Sequence, residues 1–134
     1  DFGSARLTRA NGRVAALGEL PAERLAAYYA GAAALVHPAL REGFGLPMLE
    51  AMAAGCPVIA CSDALPCVLT GAALTFPAGD IAVASEAMRR VLTDEGLRTT
   101  LVNEGRTRAE AWTWDRCARS TAQVYREVLK ESNR

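Results

Sequence analysis

Two glutamates, Glu42 and Glu50, stand eight residues apart around a glycine-rich turn. An ionised carboxylate only accepts hydrogen bonds, so its two oxygens suit the two hydroxyls of a vicinal diol. Hydrogen bonds to a charged group contribute roughly 1.5–3 kcal/mol each where water is excluded. Because a turn separates the two glutamates, they can bind two different rings, one a sugar and one a ribose. The alternative is a pair of solvated surface carboxylates, and the turn between them argues against it.

That turn consists of Gly43, Phe44 and Gly45, with Leu46 and Pro47 directly after it. Glycines lack a Cβ atom, so ligand atoms can approach the backbone closely and the amides can point outward. Proline is typical of the first turn of a helix. A helix that begins there directs free N–H groups and a partial positive charge toward the same place. The segment therefore predicts a binding site for a phosphate or a sugar hydroxyl.

Short apolar segments alternate with amphipathic ones along the chain. Strands are predicted at 13–18, 34–37, 57–61 and 73–76. Helices are predicted at 21–33, 47–54, 81–91 and 94–111, followed by a last helix after Asp115. This order is typical of an α/β fold with a Rossmann-like parallel sheet flanked by helices. Ligands of such sheets bind outside the carboxyl ends of the strands, where the 42–50 segment is expected.

The helices carry signals for their ends and their buried faces. Asp80 and Asp115 are expected to cap the helices that follow them, and Gly105 is expected to interrupt or cap the 94–111 helix. Buried faces are predicted at Leu49, Met52 and Ala53, at Ile81, Ala84, Met88 and Val91, and at Cys117, Thr121, Val124, Tyr125 and Val128.

The first residues predict that the chain is incomplete on its upstream side. Residues 4–10 fit the tail of a helix that stops at Asn11-Gly12. A helix tail before the first strand, with only four strands in total, indicates that at least one β-α unit precedes Asp1. The alternative is a small but complete α/β domain.

Composition excludes several classes of function. The 134 residues fit one domain, and 51 % hydrophobic content argues against disorder. Charge is balanced, with 15 basic and 15 acidic residues, so nothing indicates binding to nucleic acid or to a membrane surface. No apolar run approaches the ~20 residues of a transmembrane helix. Four cysteines without a CxxC pair, beside one histidine, argue against a zinc site and favour a reducing, cytoplasmic compartment.

The segment EGFGLPMLEAMAAGCPVIA (42–60) is similar to the Glu-x7-Glu signature of retaining nucleotide-sugar glycosyltransferases of the GT-B fold, above all family 4. The similarity extends to RVAALGEL (13–20), ERLAAYYAGAAALVHPAL (23–40), SDALP (62–66), FPAGD (76–80) and WTWDRCARSTAQVYREVL (112–129). That fold has two facing Rossmann-like domains, with the acceptor bound mainly by the N-terminal one. The resemblance implies that residues 1–134 belong to the C-terminal, donor-binding domain.

The resemblance also implies roles for the site residues. Glu42 would bond the hydroxyls of the donor sugar and is the candidate catalytic residue, while Glu50 would hold the ribose hydroxyls. The backbone of the turn would meet the sugar and the diphosphate, and the 17–20 segment would border the base. The substrate-binding residues so implied are Gly43, Phe44, Gly45, Leu46, Gly18 and Leu20.

The implied reaction is hexosyl transfer from a nucleoside-diphosphate sugar to an acceptor, with retention and without a metal or other cofactor. The basic pair that would bind the diphosphate and the acceptor domain are expected upstream, since Arg6, Arg9 and Arg13 do not match the pattern. The isolated chain is therefore expected to be inactive and to bind the donor weakly. The alternatives are a non-catalytic nucleotide-sugar binding module and a GT-B epimerase. The base, the sugar and the acceptor stay open.

Four further side chains invite chemical hypotheses. His37 ends a strand just before a proline, which favours a packed, hydrogen-bonded histidine over a catalytic base. Trp112 and Trp114 are expected to anchor the last helix onto the core, and stacking on a sugar is the alternative. Cys67, on a loop, is a weaker candidate for a reactive thiol.

Overall fold

Three parallel strands form the centre of the structure, a computed structural model that describes residues 14–132. They are β1 (Leu35–His37), β2 (Val58–Cys61) and β3 (Ala73–Phe76), in the order β1-β2-β3. Ile59 at the centre pairs with Val36 on one side and with Leu74 on the other. The predicted α/β, Rossmann-like parallel sheet is confirmed.

The described residues also form five α-helices: α1 (Ala22–Gly31), α2 (Leu46–Ala53), α3 (Ile81–Thr93), α4 (Glu95–Ala111) and α5 (Trp114–Ser132). Short 3-10 turns lie at Ser62–Ala64 and Cys67–Leu69. Asp80 caps α3 as predicted, because its carboxylate accepts a hydrogen bond from the Val83 amide at 3.0 Å. Asp94 caps α4 in the same way, through the Leu97 amide at 2.9 Å.

The central strand β2 is buried on both faces. Val58 and Ala60 pack with α2 in one cluster, whereas Ile59 and Cys61 pack with α3 in the other. Side chains of a strand alternate between the two faces, so one strand supplies both halves of the core. Helix α4 contributes to both halves, because Leu101 belongs to the α3 cluster and Ala109 packs against the α2 cluster.

The strand predicted at 13–18 is not a strand in residues 14–18. Within the described residues this segment pairs with no strand. Val14 and Leu17 are also 49 % and 47 % exposed. Apolar composition favours a strand only where ladder hydrogen bonds and burial support it, and this segment has neither. Arg13 and the helix tail predicted at 4–10 lie outside the described residues.

Gly105 neither interrupts nor caps α4, which runs unbroken from Glu95 to Ala111. It lies where α4 meets α2. A Cβ atom at this position would stand 2.9 Å from Met52 Cγ and 3.2 Å from Met52 Cβ. The glycine is therefore present because the two helices approach closely, and the prediction of a helix stop is wrong.

Helix α5 begins at Trp114, two residues earlier than predicted. The Thr113 hydroxyl accepts a hydrogen bond from the Arg116 amide at 3.2 Å, so Thr113 has the capping role that was expected of Asp115. Asp115 lies inside the first turn and pairs with Arg119 at 2.6 Å.

Several predicted buried positions are exposed. On α5, the exposed fractions of Val124, Tyr125 and Val128 are 54 %, 66 % and 54 %, and Trp114 is 77 % exposed, so this tryptophan does not anchor the helix. No part of the chain between residues 14 and 132 covers that side of α5. Ile81 is exposed as well, because it lies in the first turn of α3, outside the packed stretch that contains Ala87 and Val91.

Replacement of two glycines in α4 tests the close approach of the helices. Gly105→Ala places a methyl group against Met52, whereas the Cβ of Gly96→Ala comes no closer than 3.4 Å to any atom. Both changes replace a glycine of α4 by alanine, which by itself does not destabilise a helix, so a loss of stability specific to Gly105→Ala reports the clash. We expect Gly105→Ala to be roughly 1–3 kcal/mol less stable than Gly96→Ala in urea unfolding. Equal stabilities would show that α2 and α4 do not meet at Gly105.

Candidate functional site

Helix α2 begins directly after Gly45. It lies at the N-cap position with φ +86°, a left-handed conformation that glycine adopts without strain. A Cβ atom there would lie 3.0 Å from Pro66 Cγ and 3.1 Å from both Leu69 Cδ1 and Met48 Cε. The glycine therefore permits a sharp turn out of the loop that is also packed tightly against the core.

Helix α2 divides into a buried face and an open face. Met48, Leu49, Ala51 and Met52 are buried in the core. Leu46, Glu50 and Ala53 follow at spacings of four and three residues, so they share the opposite side of the helix, and all three are exposed. The burial predicted for Ala53 is wrong for this reason. Glu50 lies just beyond the first turn, with its carboxylate open to a ligand.

Glu42 lies in the loop between β1 and α2, with its side chain 23 % exposed. Its Oε1 atom accepts hydrogen bonds from the Gly43 amide at 3.0 Å and from the Gly45 amide at 3.4 Å. The carboxylate thus stands at the amino end of α2, where the helix dipole favours negative charge. Two of the amides that were expected to meet a ligand are bonded to Glu42.

His37 reaches the other oxygen of the same carboxylate. Its Nε2 atom lies 3.2 Å from Glu42 Oε2, and its side chain is 16 % exposed. Since a carboxylate only accepts, the bond forms when Nε2 carries the hydrogen. A hydrogen-bonded histidine was expected here, but its partner was not. The position of His37 at the carboxyl end of a parallel strand is the signal that points to it.

Tyr29 of α1 lies near Glu50. Burial, and then the negative charge of Glu50, raise the pKa of the Tyr29 hydroxyl. The ring also packs against the core cluster beneath α2. Helices α1 and α2 therefore lie side by side, with Glu50 on the exposed face of α2.

An apolar groove of about 630 Å³ runs along the open face of α2. Phe44 and Trp112 contact each other edge to face, with ring centroids 5.4 Å apart, and the Arg116 guanidinium lies 5.7 Å from the centre of the Trp112 ring. Leu46 and Glu50 line the same groove. Trp112 lies between α4 and α5, and Arg116 lies in the first turn of α5. Both are distant from Phe44 in the sequence, so no local spacing indicates that they join it.

Gly18 and Leu20 lie directly before α1. Gly18 has φ +65° and is exposed, and Leu20 is half-buried. Because α1 leads into β1 after only a few residues, its beginning faces the edge where the strands end, which is also where α2 begins. No hydrogen bond in the described part of the chain joins Gly18 or Leu20 to either glutamate.

Comparison with known proteins identifies the family. Residues 4–108 match the family described as glycosyl transferases group 1. The chain belongs to this family. The match includes β1, the Glu42 loop and α2, whereas Trp112 and Arg116 of the groove lie beyond the matched residues.

Curated relatives are glycosyltransferases from several organisms. The chain is 37 % identical to O-antigen chain mannosyltransferase B of Escherichia coli over 112 residues, which cover 82 % of this chain and 29 % of that protein. It is 34 % identical to the D-inositol 3-phosphate glycosyltransferase of Streptomyces bingchenggensis over 111 residues, covering 81 % and 24 % of the two. It is also 37 % identical to the MMP alpha-(1->4)-mannosyltransferase of Mycolicibacterium hassiacum over 113 residues, covering 80 % and 27 %.

A solved structure shows the same fold. Sucrose-phosphate synthase from Thermosynechococcus elongatus superimposes with a TM-score of 0.80 at 34 % identity, over 90 % of this chain and 31 % of that one. This chain therefore spans less than a third of the length of the proteins it matches.

Two classes of feature are absent from the described range. Residues 14–132 contain no group of three or more His, Cys, Asp or Glu side chains arranged to hold a metal ion. No helix in this part of the chain combines the length and the apolar character needed to cross a membrane.

Two glycines of the loop test how the start of α2 is built. Gly45→Ala forces a left-handed residue to carry a Cβ atom and pushes that atom against Pro66, Leu69 and Met48. A left-handed backbone conformation costs a residue with a Cβ atom about 1–2 kcal/mol, so the free energy of unfolding should fall by at least that amount. Gly43→Ala is the matched control, because its Cβ would meet no atom within 4 Å. Thermal unfolding measures both, and equal loss of stability would contradict the tight turn at Gly45.

Proposed function

We propose that this chain is the donor-binding part of a retaining, family 4 glycosyltransferase of the GT-B fold. The reaction would transfer a hexose from a nucleoside-diphosphate sugar to an acceptor. The observation that carries the proposal is the Glu42 carboxylate, held at the amino end of α2 by two amides, with Glu50 on the exposed face of that helix. Membership in the glycosyl transferases group 1 family supports it, as do two relatives named as mannosyltransferases.

Glu42 keeps capacity for a sugar hydroxyl. A carboxylate offers about four lone-pair sites, and the described contacts of Glu42 use three of them. The longest contact, 3.4 Å from the Gly45 amide, is the easiest to exchange. If a sugar hydroxyl takes its place on Glu42, the Gly45 N–H becomes free to donate to the donor's phosphate. In this proposal Glu42 binds the sugar, and the Gly45 amide donates a hydrogen bond to the diphosphate leaving group.

The diphosphate would lie at the amino end of α2. Free amides and the partial positive charge of the helix stabilise an anion there, so the leaving group needs no metal in this proposal. The diphosphate would take the acceptor's proton while the new bond forms on the face that the leaving group vacates. The basic side chains that assist it, and the acceptor-binding domain, are proposed to lie on sequence outside this chain.

Glu50 would accept the two ribose hydroxyls, and the backbone at Gly18 and Leu20 would border the base. Phe44 and Leu46 line the groove that Glu50 also lines. We also propose a reducing, cytoplasmic location. It is supported by the cysteines, all four of which lie in the described range as free thiols, with Cys56 and Cys61 buried in the core.

Nucleotide and nucleotide-sugar binding should separate the roles of the two glutamates in the intact protein. Glu50→Ala removes hydrogen bonds to a charged group worth roughly 1.5–3 kcal/mol each, so it should weaken GDP or UDP binding about tenfold or more. Glu42→Ala should leave the affinity for the bare nucleotide within about threefold but lower the turnover of the corresponding nucleotide sugar. Isothermal titration calorimetry and release of the nucleoside diphosphate measure the two effects.

Glu104→Ala is the control, because Glu104 is an exposed carboxylate of α4 outside the site and its loss should change neither quantity. Unchanged nucleotide affinity in Glu50→Ala would show that Glu50 does not bind the ribose. Equal losses for the nucleotide and the nucleotide sugar in Glu42→Ala would mean that Glu42 only supports the loop. If the intact protein binds a nucleotide sugar without transferring its sugar, the chain is part of a binding module instead.

A further inference from the structure

We infer that His37 is the positioning residue of Glu42: it fixes the direction in which that carboxylate faces the donor sugar. The inference rests on the proposed role of Glu42 and goes beyond it. His37 would touch neither the sugar nor the reacting atoms, and would act only through the hydrogen bond from its Nε2 atom to Glu42 Oε2 at 3.2 Å.

The carboxylate needs a contact outside its own loop. The last torsion of a glutamate side chain is broad, so hydrogen bonds rather than rotamer preference decide how its oxygens are placed. Both bonds to Oε1 come from Gly43 and Gly45, which are one and three residues away in the same loop. The Gly43 amide moves with the loop, and the Gly45 amide, although packed against the core, donates over a long distance of 3.4 Å. Both amides donate to Oε1, so neither holds Oε2 in place.

His37 supplies the outside contact. It is the last residue of β1 and pairs in register with Ala60 of the fully buried central strand β2. Its position is therefore fixed by the sheet and does not depend on the loop. The bond from Nε2 connects the loop carboxylate to the sheet and restricts rotation of Oε2.

The surroundings make this bond effective. The two side chains are only 16 % and 23 % exposed, so water competes weakly for either partner. A single N–H donor occupies one lone pair of Oε2 and leaves another for a sugar hydroxyl. A side chain of similar reach that carries an N–H group can do the same, and an apolar side chain cannot.

Turnover of variants of the intact protein tests the inference. The probes are GDP-mannose and UDP-glucose, and the readout is release of the nucleoside diphosphate from the donor that the wild type uses. His37→Leu should lower kcat about tenfold, equivalent to about 1.4 kcal/mol, and leave KM for the donor within about threefold. His37→Gln places an amide N–H near the position of Nε2 and should keep kcat within about threefold of the wild type.

Two comparisons separate positioning from a structural role. Leu35→Ala removes packing from the same face of β1, two residues earlier, without touching Glu42, and should leave kcat within about twofold. In a Glu42→Ala background, His37→Leu should lower kcat no further, because the group it positions is gone. If His37→Leu does not fold, His37→Asn takes its place, since its amide is too short to reach Glu42. The same tenfold loss is then expected.

Several results would overturn the inference. The imidazole would have only a packing role if His37→Leu lowered kcat no more than Leu35→Ala does. The same conclusion would follow if His37→Gln lowered kcat as much as His37→Leu. Losses that add in the Glu42→Ala background would show that His37 acts independently of Glu42. If Glu42→Ala lowers turnover and His37→Leu does not, the positioning role of His37 is wrong while the proposed role of Glu42 stands. If Glu42→Ala leaves turnover unchanged, the proposed role of Glu42 fails, and the inference fails with it.

Discussion

The left-handed turn at Gly45 is the constraint on which the site depends. It reverses the chain between the end of β1 and the start of α2 in a space that Pro66, Leu69 and Met48 leave too small for a Cβ atom. Because the buried face of α2 is packed into the core, the position of its first turn is determined by the core as well. The amides at the start of the helix, and the exposed face that carries Glu50, follow from that placement.

Within this frame, Glu42 acts as the link between three elements. Its carboxylate accepts bonds from its own loop, stands at the positive end of α2 and contacts His37 at the end of β1. A group held from several directions loses little entropy when it binds a ligand, which is the usual advantage of a preorganised site. The proposed donor site thus depends on contacts between elements as much as on the types of its own residues.

The sequence predicted the parts of the fold that have local signals. Apolar runs predicted the three strands, Pro47 predicted the start of α2, and the carboxylate of Asp80 predicted the cap of α3. The 42–60 segment predicted a glycosyltransferase family. Features that depend on distant partners were missed or wrong. The 13–18 segment resembled a strand, but its described residues 14–18 pair with none of the described strands. Gly105 lies where two helices approach closely, not at a helix end. The ligand roles of the glutamates remain predictions.

A crystal structure of the intact protein with GDP or UDP bound would test the central claim most directly. The account predicts that the ribose hydroxyls lie within hydrogen-bond distance of Glu50 and that the diphosphate lies at the amino end of α2, beside Gly43 and Gly45. A nucleotide bound elsewhere, with the Glu42 loop and the exposed face of α2 free of ligand, would contradict it.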